Sequence, residues 1–182
     1  WNHLSYNEMK LNRGIFFDRD GTLIDIPKYT GIKPQSFKKL SQIHIKKDVV
    51  EVCTMLRKKY LLFLITNQPD VSRKLNSKIN IENINSYLKK KLFLDQVVVC
   101  YSDDDKNYFR KPNPGMIIEI KNKYKLDLKK SFVVGDRWRD IDAGYKANCK
   151  TILIDNNYKE KINKKPDFTV KKFKQILKHI NI

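Results

Sequence analysis

Five short, mostly apolar runs, each closed by polar or charged residues, constrain this chain more than any other feature. They are Ile15–Phe17, Leu61–Ile65, Val97–Cys100, Phe132–Gly135 and Thr151–Ile154. Runs this short and without alternation read as strands buried on both faces, as in a parallel sheet. The first strand is placed over about residues 13–18. Between the runs the apolar positions fall at helical spacing. Val49, Val50, Val52, Cys53 and Leu56 follow a candidate N-cap at Asp48, and Ile81, Ile84, Leu88 and Leu92 form a second set. Segments 116–123 and 140–147 read as two further helices, and residues 168–181 as a last short strand and a helix. This alternation predicts an α/β fold, a Rossmann-like parallel sheet with helices on both faces. The 182 residues suffice for one domain with a proper core, with 1–12 a polar, loosely attached arm.

Ligands of an open parallel sheet bind at the carboxyl ends of its strands, so the residues closing these runs form the candidate site. The first run ends in Asp18-Arg19-Asp20-Gly21-Thr22, where Gly21 permits a tight turn. Two carboxylates this close are best tolerated around a hard cation such as Mg²⁺. The second run ends in Thr66-Asn67-Gln68. The polar segment Tyr101–Phe109 leads into Arg110-Lys111-Pro112-Asn113-Pro114-Gly115-Met116, where the prolines forbid a helix before Pro114. The fourth run delivers Asp136 and Arg137, with Asp140 one helical turn later. Phosphoryl transfer needs positioning, a divalent cation and a positive clamp, and these strand ends supply those residue types. Two readings stay open for Asp140: support of the metal, or a helix cap that anchors Lys111. Two stay open for Arg137: contact with an anionic group, or a surface arginine paired with Asp140 or Asp142.

Together these stretches resemble the haloacid dehalogenase (HAD) superfamily of phosphatases, with the motifs in order from about Gly14 to Ile154. The resemblance implies that Asp18 is the nucleophile that forms an aspartyl-phosphate, and that Asp20 is the general acid and base. It implies that Asp18, the backbone carbonyl of Asp20 and Asp136 hold Mg²⁺, and that Thr66 and Lys111 bind the transferring oxygens. Within the superfamily, FDRDG, TNQ, RKP and GDRWRD are similar to the heptose-bisphosphate and histidinol-phosphate phosphatases. That likeness implies a small phosphorylated substrate, with Asn67 beside it and Arg110 on a second anionic group. Members of that group often carry a zinc loop before RKP. Here Cys100 remains, but Ser102, Asn107 and Phe109 stand where the other ligands belong, so a zinc site is expected to be absent.

The intervals 25–60 and 69–109 leave no room for a separate lid once their helix and strand are subtracted. A shallow site is expected, screened by the loop Pro27–Phe37 and the segment Tyr101–Phe109. Lys+Arg number 38 against 20 Asp+Glu, giving +18. Lysines occur in nearly every segment without one aromatic-interleaved basic block, which favours a diffuse solvated charge over a nucleic-acid groove. The charge nevertheless keeps a polynucleotide 3′-phosphatase, another HAD enzyme with TNQ and RKP motifs, as the competing activity. A binding protein on a degenerate fold is a third reading, opposed by the intact Asp18, Asp20, Lys111 and Asp136. Cys53, Cys100 and Cys149 are odd in number and far apart, as reduced thiols are. With no run near the ~20 apolar residues of a membrane span and no signal-peptide pattern, a cytoplasmic monomer is expected.

Overall fold

The computed structural model describes residues 12–26 and 35–181. Most of the expected arm, and Pro27, Gly31 and Pro34 of the first loop, lie outside the described residues. Asn12, the last residue of the expected arm, is tied down. Its backbone N–H donates to Lys125 O at 3.1 Å, and its carbonyl accepts from the Asp127 N–H at 2.8 Å.

In chain order the elements are β1 Gly14–Phe17, α1 Val49–Leu56, β2 Leu61–Asn67, α2 Lys78–Leu92, β3 Gln96–Cys100, α3 Gly115–Tyr124, β4 Phe132–Gly135, α4 Trp138–Lys146, β5 Lys150–Ile154 and β6 Phe168–Val170. The strands make one six-stranded sheet in the order β3-β2-β1-β4-β5-β6, and every pairing is parallel. Side chains of adjacent strand residues point to opposite faces, so the short runs feed two cores at once. On one face Ile15, Phe17, Leu62, Leu64 and Val134 pack with α1, α2 and the C-terminal turn. On the other, Phe16, Phe63, Ile65 and Val133 meet Met116, Ile117 and Ile120 of α3, Ala143 of α4 and Ala147 just beyond it. This is the expected α/β layering.

Three local expectations need correction. Asp48 precedes α1 but has φ 69° and makes no side-chain cap, so the helix starts from its backbone alone. Helix α4 begins at Trp138, two residues before Asp140, because the Asp140 carboxylate closes the first turn by accepting from the Arg137 N–H at 3.1 Å. The C-terminal helix is a 3₁₀ turn, Phe173–Lys178, anchored by Gln175 Oε1 accepting from Lys171 and Lys172 N–H at 2.9 Å each.

Candidate active site

Strand β1 lies between β2 and β4, so the chain departs from it in both directions along the sheet. That reversal opens a crevice at the carboxyl ends of the strands. Asp18 follows β1 and extends the ladder by one bond, its N–H donating to Val134 O at 3.0 Å. Asp136 follows β4, and Thr66 lies within β2. Beyond Asp18 the chain turns tightly: Leu23 and Ile24 N–H both reach Arg19 O, at 3.0 and 3.1 Å. Gly21 takes φ 85° in this turn, and a side chain there would collide with the Asp136 carboxylate.

Lys111 is the hub. It is 3% exposed, and its Nζ donates to Asp18 Oδ1 at 2.6 Å, Asp140 Oδ1 at 2.7 Å and Ile65 O at 2.9 Å. Burial alone would lower its pKa, but Asp140 and Asp18 outweigh that and hold it above the usual lysine range. The lysine therefore stays charged, and the remaining repulsion falls on the carboxylates. Burial pushes Asp18 up to about 8 against the pull of Lys111, with Asp140 and Asp136 adding to the rise. Burial and Asp140 push Asp136 up to about 6.

Asp18, Asp136 and Asp140 each offer an oxygen, all within 4.8 Å of one another. With all three ionised, three carboxylates against one ammonium would leave this cluster two negative charges in excess, which a divalent cation would neutralise. The Asp136 side chain shows where. Its Oδ2 accepts from the Tyr158 hydroxyl at 2.7 Å and Asn156 Nδ2 at 3.1 Å, while its buried Oδ1 has no partner. An orphaned carboxylate oxygen beside two other carboxylates fits a hard, oxygen-seeking ion. Asp140 meanwhile spends one oxygen on Lys111 and the other on the Arg137 backbone, so it caps and anchors.

The Asp20 carboxylate is gripped by two residues whose roles sequence reasoning missed. Arg19, fully buried, donates from Nε at 3.1 Å and Nη2 at 3.0 Å, and its Nη1 is fixed by Asn85 Oδ1 at 3.0 Å. Gln68 Nε2 adds a bond to Asp20 at 2.9 Å and another to Thr66 Oγ1 at 2.8 Å. The adjacency of Arg19 to Asp20 was visible. Its second anchor on α2, 66 residues away, left no local signal.

The pocket of about 400 Å³ brings together Asp18, Asp20, Thr66, Asn67, Arg110, Lys111, Asp136, Arg137 and Asp140. Three of these also make contacts that the sequence did not announce. The Asn67 amide donates to Lys111 O at 2.9 Å and accepts from Lys111 N at 3.1 Å, fastening the lysine's backbone. Arg110 borders the pocket with a buried guanidinium committed to Asp105 Oδ1 and Ser102 O, both at 2.9 Å. Arg137 pairs with Glu160 rather than with Asp140 or Asp142. The screening elements also differ. No residue of Tyr101–Phe109, all of them described, lines the pocket, because Asp105 is drawn back by Arg110 and Arg139. Hydrogen bonds from Arg139 and Arg110 hold the Asp105 carboxyl down at about 2. Gln35 and Ser36 do reach the pocket, as do Tyr158 and Glu160 from a segment that sequence reasoning passed over.

Comparison with known proteins agrees with this arrangement. Residues 13–140 match the family described as polynucleotide kinase 3 phosphatase, and residues 108–176 the HAD-hydrolase-like family. A D-glycero-beta-D-manno-heptose-1,7-bisphosphate 7-phosphatase of Helicobacter pylori is 30% identical over 154 residues, covering 80% of this chain and 85% of its own. A D-glycero-alpha-D-manno-heptose-1,7-bisphosphate 7-phosphatase of Burkholderia mallei is 30% identical over 156 residues, with 79% of each chain covered. Among solved structures, the D,D-heptose 1,7-bisphosphate phosphatase of B. bronchiseptica, complexed with magnesium and phosphate, has a TM-score of 0.67 at 25% identity, covering 78% of this chain and 79% of that one.

Proposed function

The chain belongs to the HAD-like phosphatases and is a hydrolase of phosphate esters, and from that premise we propose that it is a Mg²⁺-dependent phosphatase of small sugar bisphosphates resembling heptose bisphosphate. The observation that carries this reading is the cluster of Asp18, Asp136, Asp140 and Lys111 in a pocket edged by Arg110 and Arg137. It accommodates one reacting phosphate and offers cationic side chains to a second anionic group.

Mg²⁺, held by Asp18, Asp136 and the backbone carbonyl of Asp20, would neutralise charge on the transferring phosphoryl oxygens. The chain's own groups do the rest. An Asp18 carboxylate oxygen attacks phosphorus, and the bond from phosphorus to the ester oxygen breaks to leave an aspartyl-phosphate. Asp20 gives its proton to the departing oxygen, then takes one from the water that attacks the phosphoenzyme, regenerating Asp18 and releasing phosphate. Arg19 and Gln68 keep Asp20 aimed, Thr66 binds the transferring oxygens, and Lys111 offsets the charge that builds on them.

Two predictions arise here. The folded-state values of Asp18 and Asp136 lie above those of the unfolded chain, so the stability these groups contribute is full below the ordinary carboxylate range. It is lost as pH rises through about 6 and about 8. Thermal unfolding of metal-free protein should therefore show a melting temperature that falls between pH 5 and pH 8, with Mg²⁺ raising it more at pH 8. Equal stabilisation by Mg²⁺ at both pH values would count against this placement of the cation. The second concerns zinc. Cys100 Sγ faces Asn107 Oδ1 at 3.8 Å, and the loop is fastened by Asn107 and Asp105. We expect no stoichiometric zinc, and elemental analysis finding about one zinc per chain would contradict that.

A polynucleotide 3′-phosphatase is the second reading, favoured by the family match over residues 13–140 and the +18 charge. Mg²⁺-dependent phosphate release from sugar phosphates, sugar bisphosphates, histidinol phosphate and 3′-phosphorylated oligonucleotides separates the two. Sugar bisphosphates should be hydrolysed fastest, and single-stranded DNA should bind weakly, with affinity falling steeply with salt. Efficient 3′-phosphate removal at physiological salt, with no activity on sugar bisphosphates, would replace this assignment.

A further inference from the structure

Between Asp155 and Asp167 the chain runs past the pocket without a backbone–backbone hydrogen bond of its own among the described residues. Side chains fasten it instead. Asn156 Nδ2 donates to Gly21 O at 3.0 Å and to Asp136 Oδ2 at 3.1 Å, and the Tyr158 hydroxyl donates to the same Asp136 oxygen at 2.7 Å. The Arg137 guanidinium lies over the Tyr158 ring, 5.1 Å from its centroid, and its Nη2 donates to Glu160 Oε1. The other Glu160 oxygen is buried and has no partner. A carboxylate thus occupies the arginine of a phosphate pocket, held through one of its two oxygens.

We propose that Glu160 is a built-in stand-in for the second anionic group of the substrate, one that holds Arg137 until a ligand carrying two such groups displaces it, and so weakens the binding of such ligands. The inference rests on the sugar-bisphosphate reading above. A phosphate brings more oxygens and more charge to a guanidinium than a carboxylate bound through one oxygen, so it wins the exchange when delivered there. Delivery decides which anion displaces Glu160. A bisphosphate anchored at Asp18 presents its second phosphate to Arg137 at high effective concentration, whereas a free anion must displace Glu160 unaided. Displacement is inexpensive, because a segment without backbone hydrogen bonds opens by giving up one side-chain contact. Asn156 and Tyr158 can stay in place and continue to orient Asp136, so the metal ligand is undisturbed while Glu160 swings away.

The test uses the Mg²⁺-loaded full chain and an aryl phosphate as reporter substrate. Inhibition constants are measured for fructose 1,6-bisphosphate and fructose 6-phosphate, whether or not either is turned over. Glu160→Gln should strengthen inhibition by the bisphosphate about tenfold, a gain of about 1.4 kcal/mol. Inhibition by the monophosphate should stay within about twofold, and Glu160→Ala should move the ratio in the same direction. Arg137→Met should weaken the bisphosphate selectively, and adding Glu160→Gln to it should change nothing further. An unchanged ratio in both Glu160 variants, a shift common to both ligands, or no bisphosphate inhibition in any variant would overturn the proposal. Failure of the parent reading shows elsewhere, as a wild-type protein that hydrolyses no sugar bisphosphate.

Discussion

Asp18→Asn is expected to lower phosphate release by about 10⁴-fold or more, the scale on which removing a nucleophile acts. An amide cannot form the acyl-phosphate, and the other carboxylate bonded to the Lys111 ammonium, Asp140, has its second oxygen committed to the Arg137 backbone. The fold should survive the change. Burial, with Asp140 and Asp136, outweighs the pull of Lys111 and disfavours the charged form of Asp18, so a neutral amide should be tolerated in the metal-free protein. Its melting temperature without Mg²⁺ should be no lower than that of wild type, and stabilisation by Mg²⁺ should shrink because one ligand is weakened. Turnover within about tenfold of wild type would remove Asp18 from the role of nucleophile.

Lys111→Met should be nearly as damaging to activity and far more damaging to stability. All three ammonium protons are engaged, on Asp18, Asp140 and the Ile65 carbonyl, and the side chain is 4% exposed. Removing the cation leaves two buried carboxylates facing each other, a loss on the order of 3–5 kcal/mol at neutral pH. Phosphate release should fall about a thousandfold, because the transferring oxygens lose their fixed positive partner. The stability loss should lessen in acid, where those carboxylates take up protons. The wild-type lysine behaves oppositely. Its folded-state pKa is raised, so its stabilising contribution is complete at neutral pH and is lost only as pH climbs through that raised value. Chemical denaturation at pH 5 and pH 7.5 checks this, and a variant equally stable at both would contradict the account. Lys111→Arg should not rescue activity, since a planar guanidinium cannot aim donors at the three acceptors grouped around one ammonium.

What could be read from the sequence follows from where the information sits along the chain. The sheet was legible because each strand is a contiguous run of apolar residues, and in a parallel sheet contiguity is itself the burial signal. The strand ends were legible for the same reason, since Asp18, Thr66 and Asp136 lie within or directly after such runs. Residues that act through distant partners were not. Asn67 was expected beside the substrate; it lines the pocket, but its bonds to the Lys111 backbone 44 residues away left no local signal. Two readings stood for Arg137, contact with an anionic group of the substrate or pairing with Asp140 or Asp142; its side chain lines the pocket and pairs with Glu160, 23 residues on. Asn156, Tyr158 and Glu160 lie in a lysine- and asparagine-rich stretch without periodicity or motif, so nothing local distinguished them from surface loop. The segment Tyr101–Phe109 was expected at the substrate because of its place before Arg110. An acidic clasp, Asp105 between Arg110 and Arg139, makes it a brace for the RKP turn instead.

The central claim is that phosphate passes through Asp18 with Asp20 completing the reaction, and trapping the phosphoenzyme tests it most directly. The Asp20→Asn variant, supplied with Mg²⁺ and an aryl phosphate whose leaving group needs no protonation, should still be phosphorylated but hydrolyse the intermediate slowly. Mass spectrometry of the acid-quenched, digested protein should find one phosphoryl group on the peptide containing Asp18, and none when Asp18→Asn is added. A phosphoryl group on any other residue, or one that persists in the double variant, would contradict the account.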